Sequence, residues 1–263
     1  MTPLLVTVLV AAAAAGAPYA SVAVVQRRAR RRPGASSGAE SSGLDEAPAP
    51  TRVVGAGVAL SMLVVAGVVL GGLAQAIERD TAILRWDERV ERWASDAAGT
   101  NSTAILRWIT HLGDTVVVIG VAGAITVALI LLRRYRLALL MVTVVFGQWA
   151  LSNLIKEVAG RARPELDPLA PFSGYSFPSG HATAAAATYL ALALAVLVVR
   201  PNWDSRLVIA VGIGVAVAVA ASRAMLGVHW FSDVVGGLVL GWAWCLVCAW
   251  LFRVMMDLKM ESA

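Results

Sequence analysis

The chain has 263 residues, 59% of them hydrophobic and only 15% charged, with a net charge of +5. A soluble domain is about half apolar and a quarter charged, so this composition excludes an ordinary soluble protein and makes the bilayer the natural solvent. The positive charge does not call for a nucleic-acid partner, because the arginines sit mostly at the ends of apolar runs, where they act as topology signals.

Crossing a bilayer takes about 20 apolar residues. Stretches 4–25, 53–77, 115–132, 137–155, 180–199, 207–226 and 231–252 approach that length. Lipid offers no partner to a free backbone N–H or C=O, so these segments should be helices. The expected fold is therefore all-α: a polytopic membrane helix bundle with a six-span core and an extra N-terminal span.

The first run ends in the cluster Arg27, Arg28, Arg30, Arg31 and Arg32. Residues 1–32 are read as an apolar segment with this cluster, and 33–52, rich in Gly, Ser, Pro and Ala, as a flexible linker. The alternative for 4–25 is a signal peptide cut near Ala15-Gly16-Ala17. No Lys or Arg precedes the run, and cleavage would leave the arginines outside, so a span is preferred. The six-span domain covers 53–255, followed by a cytoplasmic tail at 256–263. With the linker inside, the short basic loops Arg133–Arg136 and Arg200–Arg206 also fall inside.

Between the second and third runs, Ile83, Trp86, Val90 and Trp93 recur at helical spacing among charged residues. That pattern predicts an amphipathic helix lying in the interface. The hexapeptide Thr-Ala-Ile-Leu-Arg-Trp occurs at 81–86 and again at 103–108, supplying interfacial aromatic anchors. Cys245 and Cys248 lie inside the last run and read as small buried hydrophobes.

Polar groups at a membrane are costly, and three clusters of them stand out. Lys156 and Arg163 are seven apart, which puts them on one face if the helix continues to Pro164. Phe177-Pro178-Ser179-Gly180-His181 opens a long apolar run. Ser179 suits an N-cap, Gly180 permits close approach, and a helix N-terminus favours an anion. In the third cluster, His229 and Asp233 are four apart, so a helix would stack them, with Asp233 fixing the tautomer of His229. Arg223 lies off that face, and Gly227 offers a bend between them. The first two clusters share one loop, and the third follows two spans later on the same side. Fixed cations, a helix N-terminus and two histidines on one face suit phosphoryl transfer. His111 fits no such pattern and is read as structural.

The spacing Lys156-x6-Arg163-Pro164, Pro178-Ser179-Gly180-His181 and Ser222-Arg223-x5-His229-x3-Asp233 resembles the three-part signature of the type 2 phosphatidic acid phosphatase family. That family shares its core with vanadium-dependent haloperoxidases and some bacterial acid phosphatases. Every signature position is filled, and the resemblance covers about residues 53–255. It implies that His229 attacks phosphorus to form a phosphohistidine, that Asp233 orients His229, and that His181 protonates the leaving alcohol and then activates water. It implies that Lys156, Arg163 and Arg223 hold the phosphate oxygens, helped by Ser179 and the Gly180 N–H. Arg161 lies outside the signature and is expected to be auxiliary. No metal or other cofactor is expected.

The expected activity is hydrolysis of a lipid phosphate or diphosphate, with membrane lipids as surroundings and substrate. Phosphatidic acid, phosphatidylglycerol phosphate and polyprenyl diphosphates such as undecaprenyl diphosphate all fit. The expected location is the plasma membrane, with the site on the extracytoplasmic face. A transporter would carry ionisable or broken segments at mid-membrane, and a lipid-binding protein would lack a nucleophile or proton donor.

Overall fold

The computed structural model describes residues 61, 67, 68, 70–73, 75, 82–97, 99–164 and 168–252. The readings of 4–25 as a span, of 33–52 as a linker and of 256–263 as a tail lie outside the described residues.

Every regular element among the described residues is a helix: α1 (Ala82–Asp96), α2 (Thr100–His111), α3 (Thr115–Leu131), α4 (Tyr135–Ala159), α5 (Gly180–Val199), α6 (Ser205–Met225) and α7 (Phe231–Leu251). Positions 61, 67, 68, 70–73 and 75, inside the second apolar run, are helical as well. Helices α4 to α7 are each long and apolar enough to cross a membrane. The run expected to span at 115–132 forms α3, which is 17 residues long. It reaches span length together with α2, across a 44° bend.

Helix α5 lies at the centre, and its alanine content explains why. Ala182, Ala185, Ala186, Ala187 and Ala191 are fully buried, so neighbouring backbones approach closely. Helix α7 meets it through a small-xxx-small stripe, the arrangement that packs helices where lipid gives no hydrophobic drive. A Cβ at Gly237 would lie 2.7 Å from the Ser179 carbonyl, and one at Gly241 would lie 2.5 Å from the Thr183 carbonyl. Only glycine allows that approach. The Ser179 N–H donates to the Asp233 carbonyl at 3.0 Å, so the N-terminal ends of α5 and α7 are joined. A second layer of Leu140, Met141 and Val144 from α4 packs between α3, α5 and α7. Cys245 and Cys248 are free and buried in this core.

Helix α1 is amphipathic, as its spacing predicts. Trp86 and Trp93 are exposed, whereas Asp87 and Ala94 are buried. Burial of the aspartate was not expected, and its partners are described below. The second hexapeptide copy falls within α2, where Trp108 is exposed.

The helix directions put the sequence clusters at one end of the bundle. Helix α4 ends, α5 begins, α6 ends and α7 begins there. The basic loops at 132–134 and 200–204 lie at the other end.

Candidate active site

Helix α4 stops earlier than the Lys156–Arg163 pairing requires. Gly160 takes a left-handed conformation with φ of 57° and caps it, so Arg163 lies in a loop rather than on the helix face of Lys156. The two cations still converge. Lys156 Nζ donates to the Tyr175 carbonyl at 2.7 Å. Arg163 donates to the carbonyls of Gly174 at 2.9 Å, Ser173 at 2.7 Å and Val228 at 2.7 Å. Arg223, in the last turn of α6, donates to Thr110 Oγ1 at 3.1 Å. Among the described residues none of these three cations forms an ion pair with a carboxylate. Neutral carbonyls and a hydroxyl orient them, with Asp233 and Asp114 acting on them only at longer range.

Ser179 takes the N-cap position of α5, but its hydroxyl makes no capping bond. Its Oγ is buried without a hydrogen-bond partner among the described residues, as is Nε of Arg223. Buried polar atoms are normally satisfied; Ser152 Oγ, Thr188 Oγ1 and Trp242 Nε1 are unpartnered as well, so these two atoms do not by themselves mark a ligand site. Gly180 stands beside the Lys156 side chain; a Cβ there would lie 3.9 Å from its Cε.

His229 does not sit on a helix with Asp233. Gly227, at φ of 68°, turns the chain after α6, and α7 begins only at Phe231. Asp233, in the first turn of α7, reaches back instead. Its Oδ2 lies 3.5 Å from His229 Nδ1. The same oxygen accepts from the Trp230 N–H at 2.9 Å and from Ser176 Oγ. On the other side of the ring, Arg163 Nη1 lies 3.2 Å from His229 Nε2. A guanidinium only donates, so Nε2 accepts and the ring proton belongs on Nδ1, toward Asp233. That tautomer presents a lone pair at Nε2.

The His229 side chain is 2% exposed. Burial pushes its pKa down to about 4; Asp233 opposes the shift, and Arg163 and Lys156 reinforce it. An unperturbed imidazole titrates at about 6.5 and would be half charged there. In ¹⁵N-histidine spectra of the solubilised protein, His229 is therefore expected to stay neutral at about pH 6 and to charge only as pH falls toward 4. An imidazolium signature for His229 at about pH 6 would contradict this environment.

His181, in the first turn of α5, is held by a residue that the sequence reading passed over. Asp114, at the bend between α2 and α3, places Oδ1 at 2.8 Å from His181 Nε2 and Oδ2 at 2.6 Å from His111 Nδ1. His111, read as structural, thus belongs to the same chain of polar contacts. Gly113 makes this possible, because a Cβ there would lie 2.6 Å from Val219 and 3.1 Å from His181 Cβ.

Arg161, expected to be auxiliary, is a hub. It donates to Asp233 Oδ1 at 2.5 Å, Ser232 Oγ at 2.8 Å and Asp87 Oδ2 at 2.7 Å. Arg161, Ser176, Asp87 and Asp114 all lie outside the signature. Arg161 alone gave a hint in sequence, as a third cation within eight residues of Lys156.

Lys156, Arg163, Gly180, His181, Arg223 and His229 line one end of a cavity of about 920 Å³. The cavity continues between α3 and α4 over Ile119, Val127, Met141, Val145, Phe146 and Trp149. Ile119, Val127, Phe146 and Trp149 are also exposed on the outer surface, so the cleft opens sideways. Among the described residues no group of three or more His, Cys, Asp or Glu side chains is arranged to hold a metal ion.

The PAP2 superfamily profile matches residues 136–256. The chain is 32% identical to phosphatidylglycerophosphatase B of Bacillus subtilis over 171 residues, covering 64% of this chain and 84% of that protein. It is 38% identical to lipid A 1-phosphatase of Rhizobium johnstonii over 125 residues, 44% of this chain and 47% of that one. Its fold matches the crystal structure of a transmembrane PAP2 type phosphatidylglycerolphosphate phosphatase from Bacillus subtilis. The TM-score is 0.66 at 29% identity, over 72% of this chain and 93% of the other. With the helices described above, this makes the chain a multi-pass membrane protein. The signature spacing, the helical architecture and the extent of these matches agree, and the chain belongs to the PAP2 superfamily.

Proposed function

We propose that the protein is a lipid phosphate phosphatase that works without a metal and through a phosphohistidine. The observation that carries this reading is the continuity of the cationic pocket with the apolar cleft between α3 and α4. A phosphorylated head group fits the charged end, and acyl or prenyl chains fit the cleft, which opens toward lipid.

In the proposed reaction Lys156, Arg163 and Arg223 bind the phosphate oxygens, with Ser179 Oγ and the Gly180 N–H completing the cradle. His229 attacks phosphorus through Nε2 while Asp233 stabilises the imidazolium that develops. His181, held by Asp114, gives a proton to the leaving alcohol and then takes one from water, which releases phosphate from His229. The fixed cations supply the charge stabilisation that a metal provides elsewhere.

The site belongs on the extracytoplasmic face of the plasma membrane. The loops carrying Arg133 and Arg134, and Arg200, lie at the opposite end of α4 and α5, and such basic loops stay in the cytoplasm. Phosphatidic acid-like lipids, phosphatidylglycerol phosphate among them, are the proposed substrates, with a polyprenyl diphosphate as the second choice. The relatives are named for action on phosphatidylglycerophosphate and on lipid A, which share a phosphate at a lipid surface.

The test is phosphate release by purified protein in detergent with EDTA. Phosphatidic acid, phosphatidylglycerol phosphate and undecaprenyl diphosphate are compared with glycerol 3-phosphate. Burying even four methylenes is worth about 3 kcal/mol, so a lipid should exceed the soluble ester by roughly 100-fold or more in kcat/KM. Equal turnover of glycerol 3-phosphate, or activity lost with EDTA, would contradict the reading.

A further inference from the structure

The polar network behind Asp233 does not line the cavity, yet its side chains are buried. Asp87, on helix α1, is 1% exposed, and the Arg161 side chain is 7% exposed. Asp87 accepts from the Ser232 N–H at 2.8 Å and from Ser232 Oγ at 2.6 Å, so it caps the start of α7 from another helix. Arg161 joins the two carboxylates, with Nη1 on Asp233 and Nη2 on Asp87. Its guanidinium also lies over the Trp230 ring, 5.3 Å from the centroid.

Such a cluster is a poor device for stability alone. The desolvation of buried ions offsets much of their attraction. What it does provide is direction. The guanidinium is a planar fork, so fixing one nitrogen on Asp87 fixes where the other points. Asp233 Oδ1 is then held from behind, Oδ2 is held by Ser176 and the Trp230 N–H, and the carboxylate keeps one orientation toward His229 Nδ1.

We propose that Arg161 and Asp87 are positioning residues for the reaction, and that helix α1 is thereby part of the catalytic apparatus rather than only a membrane anchor. Neither side chain lines the cavity, and the Arg161 guanidinium is committed to Ser232, Asp233 and Asp87, so neither is placed to bind phosphate. Their effect passes through Asp233 to His229. This role rests on the histidine phosphatase reading above.

The experiment measures kcat and KM for phosphatidic acid with the full chain in detergent. It compares wild type with Arg161→Gln, Arg161→Lys and Asp87→Asn, each checked for folding by size exclusion and thermal midpoint. Arg161→Gln is expected to lower kcat about 100-fold with KM within about threefold, by analogy with the loss seen when a group that orients a metal-bound histidine is removed. Arg161→Lys should recover part of that loss by restoring the charge beside Asp233 without the fork. Asp87→Asn, which keeps the shape, should lower kcat about tenfold at unchanged KM. Unchanged kcat in folded Arg161→Gln would overturn the proposal, as would a rise in KM without a fall in kcat. Should Arg161→Gln fail to fold, unchanged kcat in Asp87→Asn overturns it. Absence of phosphate release by wild type would instead remove the phosphatase reading, and the positioning role with it.

Discussion

His229→Ala is expected to reduce phosphate release to the background of the assay, a loss of about 10⁵-fold or more, as when other covalent catalysts lose their nucleophile. The expectation rests on the surroundings of Nε2. It lies 3.2 Å from Arg163 and lines the cavity that holds the cations. Alanine leaves those cations in place, so phosphate should still bind while turnover stops. The fold should survive, because the loop is held by backbone contacts that the substitution does not alter. The Val228 carbonyl still accepts from Arg163, and the Val228 N–H still donates to the Arg223 carbonyl. Turnover like that of wild type in folded His229→Ala would remove the proposed mechanism.

Asp233→Asn is the second large effect. The amide keeps the size of the carboxylate but not its charge, and its nitrogen donates. Asp233 now accepts from Arg161, Ser176 and the Trp230 N–H, all of them donors. An amide nitrogen facing Arg161 or the Trp230 N–H loses a bond, because those two groups only donate. If it faces His229 instead, it favours the tautomer with its proton on Nε2, which has no lone pair to attack with. The expected fall in kcat is about 10³-fold or more, by the logic of an orienting aspartate behind a reacting histidine. Stability should fall as well, because Arg161 loses one of its two buried carboxylates; removal of one partner from a buried pair costs about 3 kcal/mol or more. Steady-state kinetics on folded protein, with thermal midpoints measured alongside, separates the two effects. A fall in stability with kcat retained would make Asp233 a structural anchor only.

Much of this site was legible because its residues lie near helix ends in short sequence blocks. Lys156 and Arg163, Ser179 to His181, and Arg223 to Asp233 are spaced closely, and counting crossings brings the blocks to one side. The local geometry was less legible. Helical periodicity puts Lys156 and Arg163 on one face, but Gly160 ends the helix first, and carbonyls of residues 173–175 in the following loop do the aligning. His229 lies in the loop just before α7 rather than on its helix face, and Asp233 reaches back to it from the first turn. What stayed hidden depends on long-range contact. Arg161 and Asp87 are 74 positions apart, and Asp114 and His181 are 67 apart. In the sequence Asp87 is one of several acids on a polar helix face, with nothing to mark it as buried. The stripe Gly237 and Gly241, which seats α7 on α5, was present but was absorbed into an apolar run.

The central claim is that phosphate passes through His229. The most direct measurement is a rapid alkaline quench of the protein turning over radiolabelled phosphatidic acid, followed by peptide mapping. The account predicts label on the peptide that carries His229, loss of that label on a chase with unlabelled substrate, and none in His229→Ala. Phosphate release without labelled protein, or label that persists in His229→Ala, would contradict it.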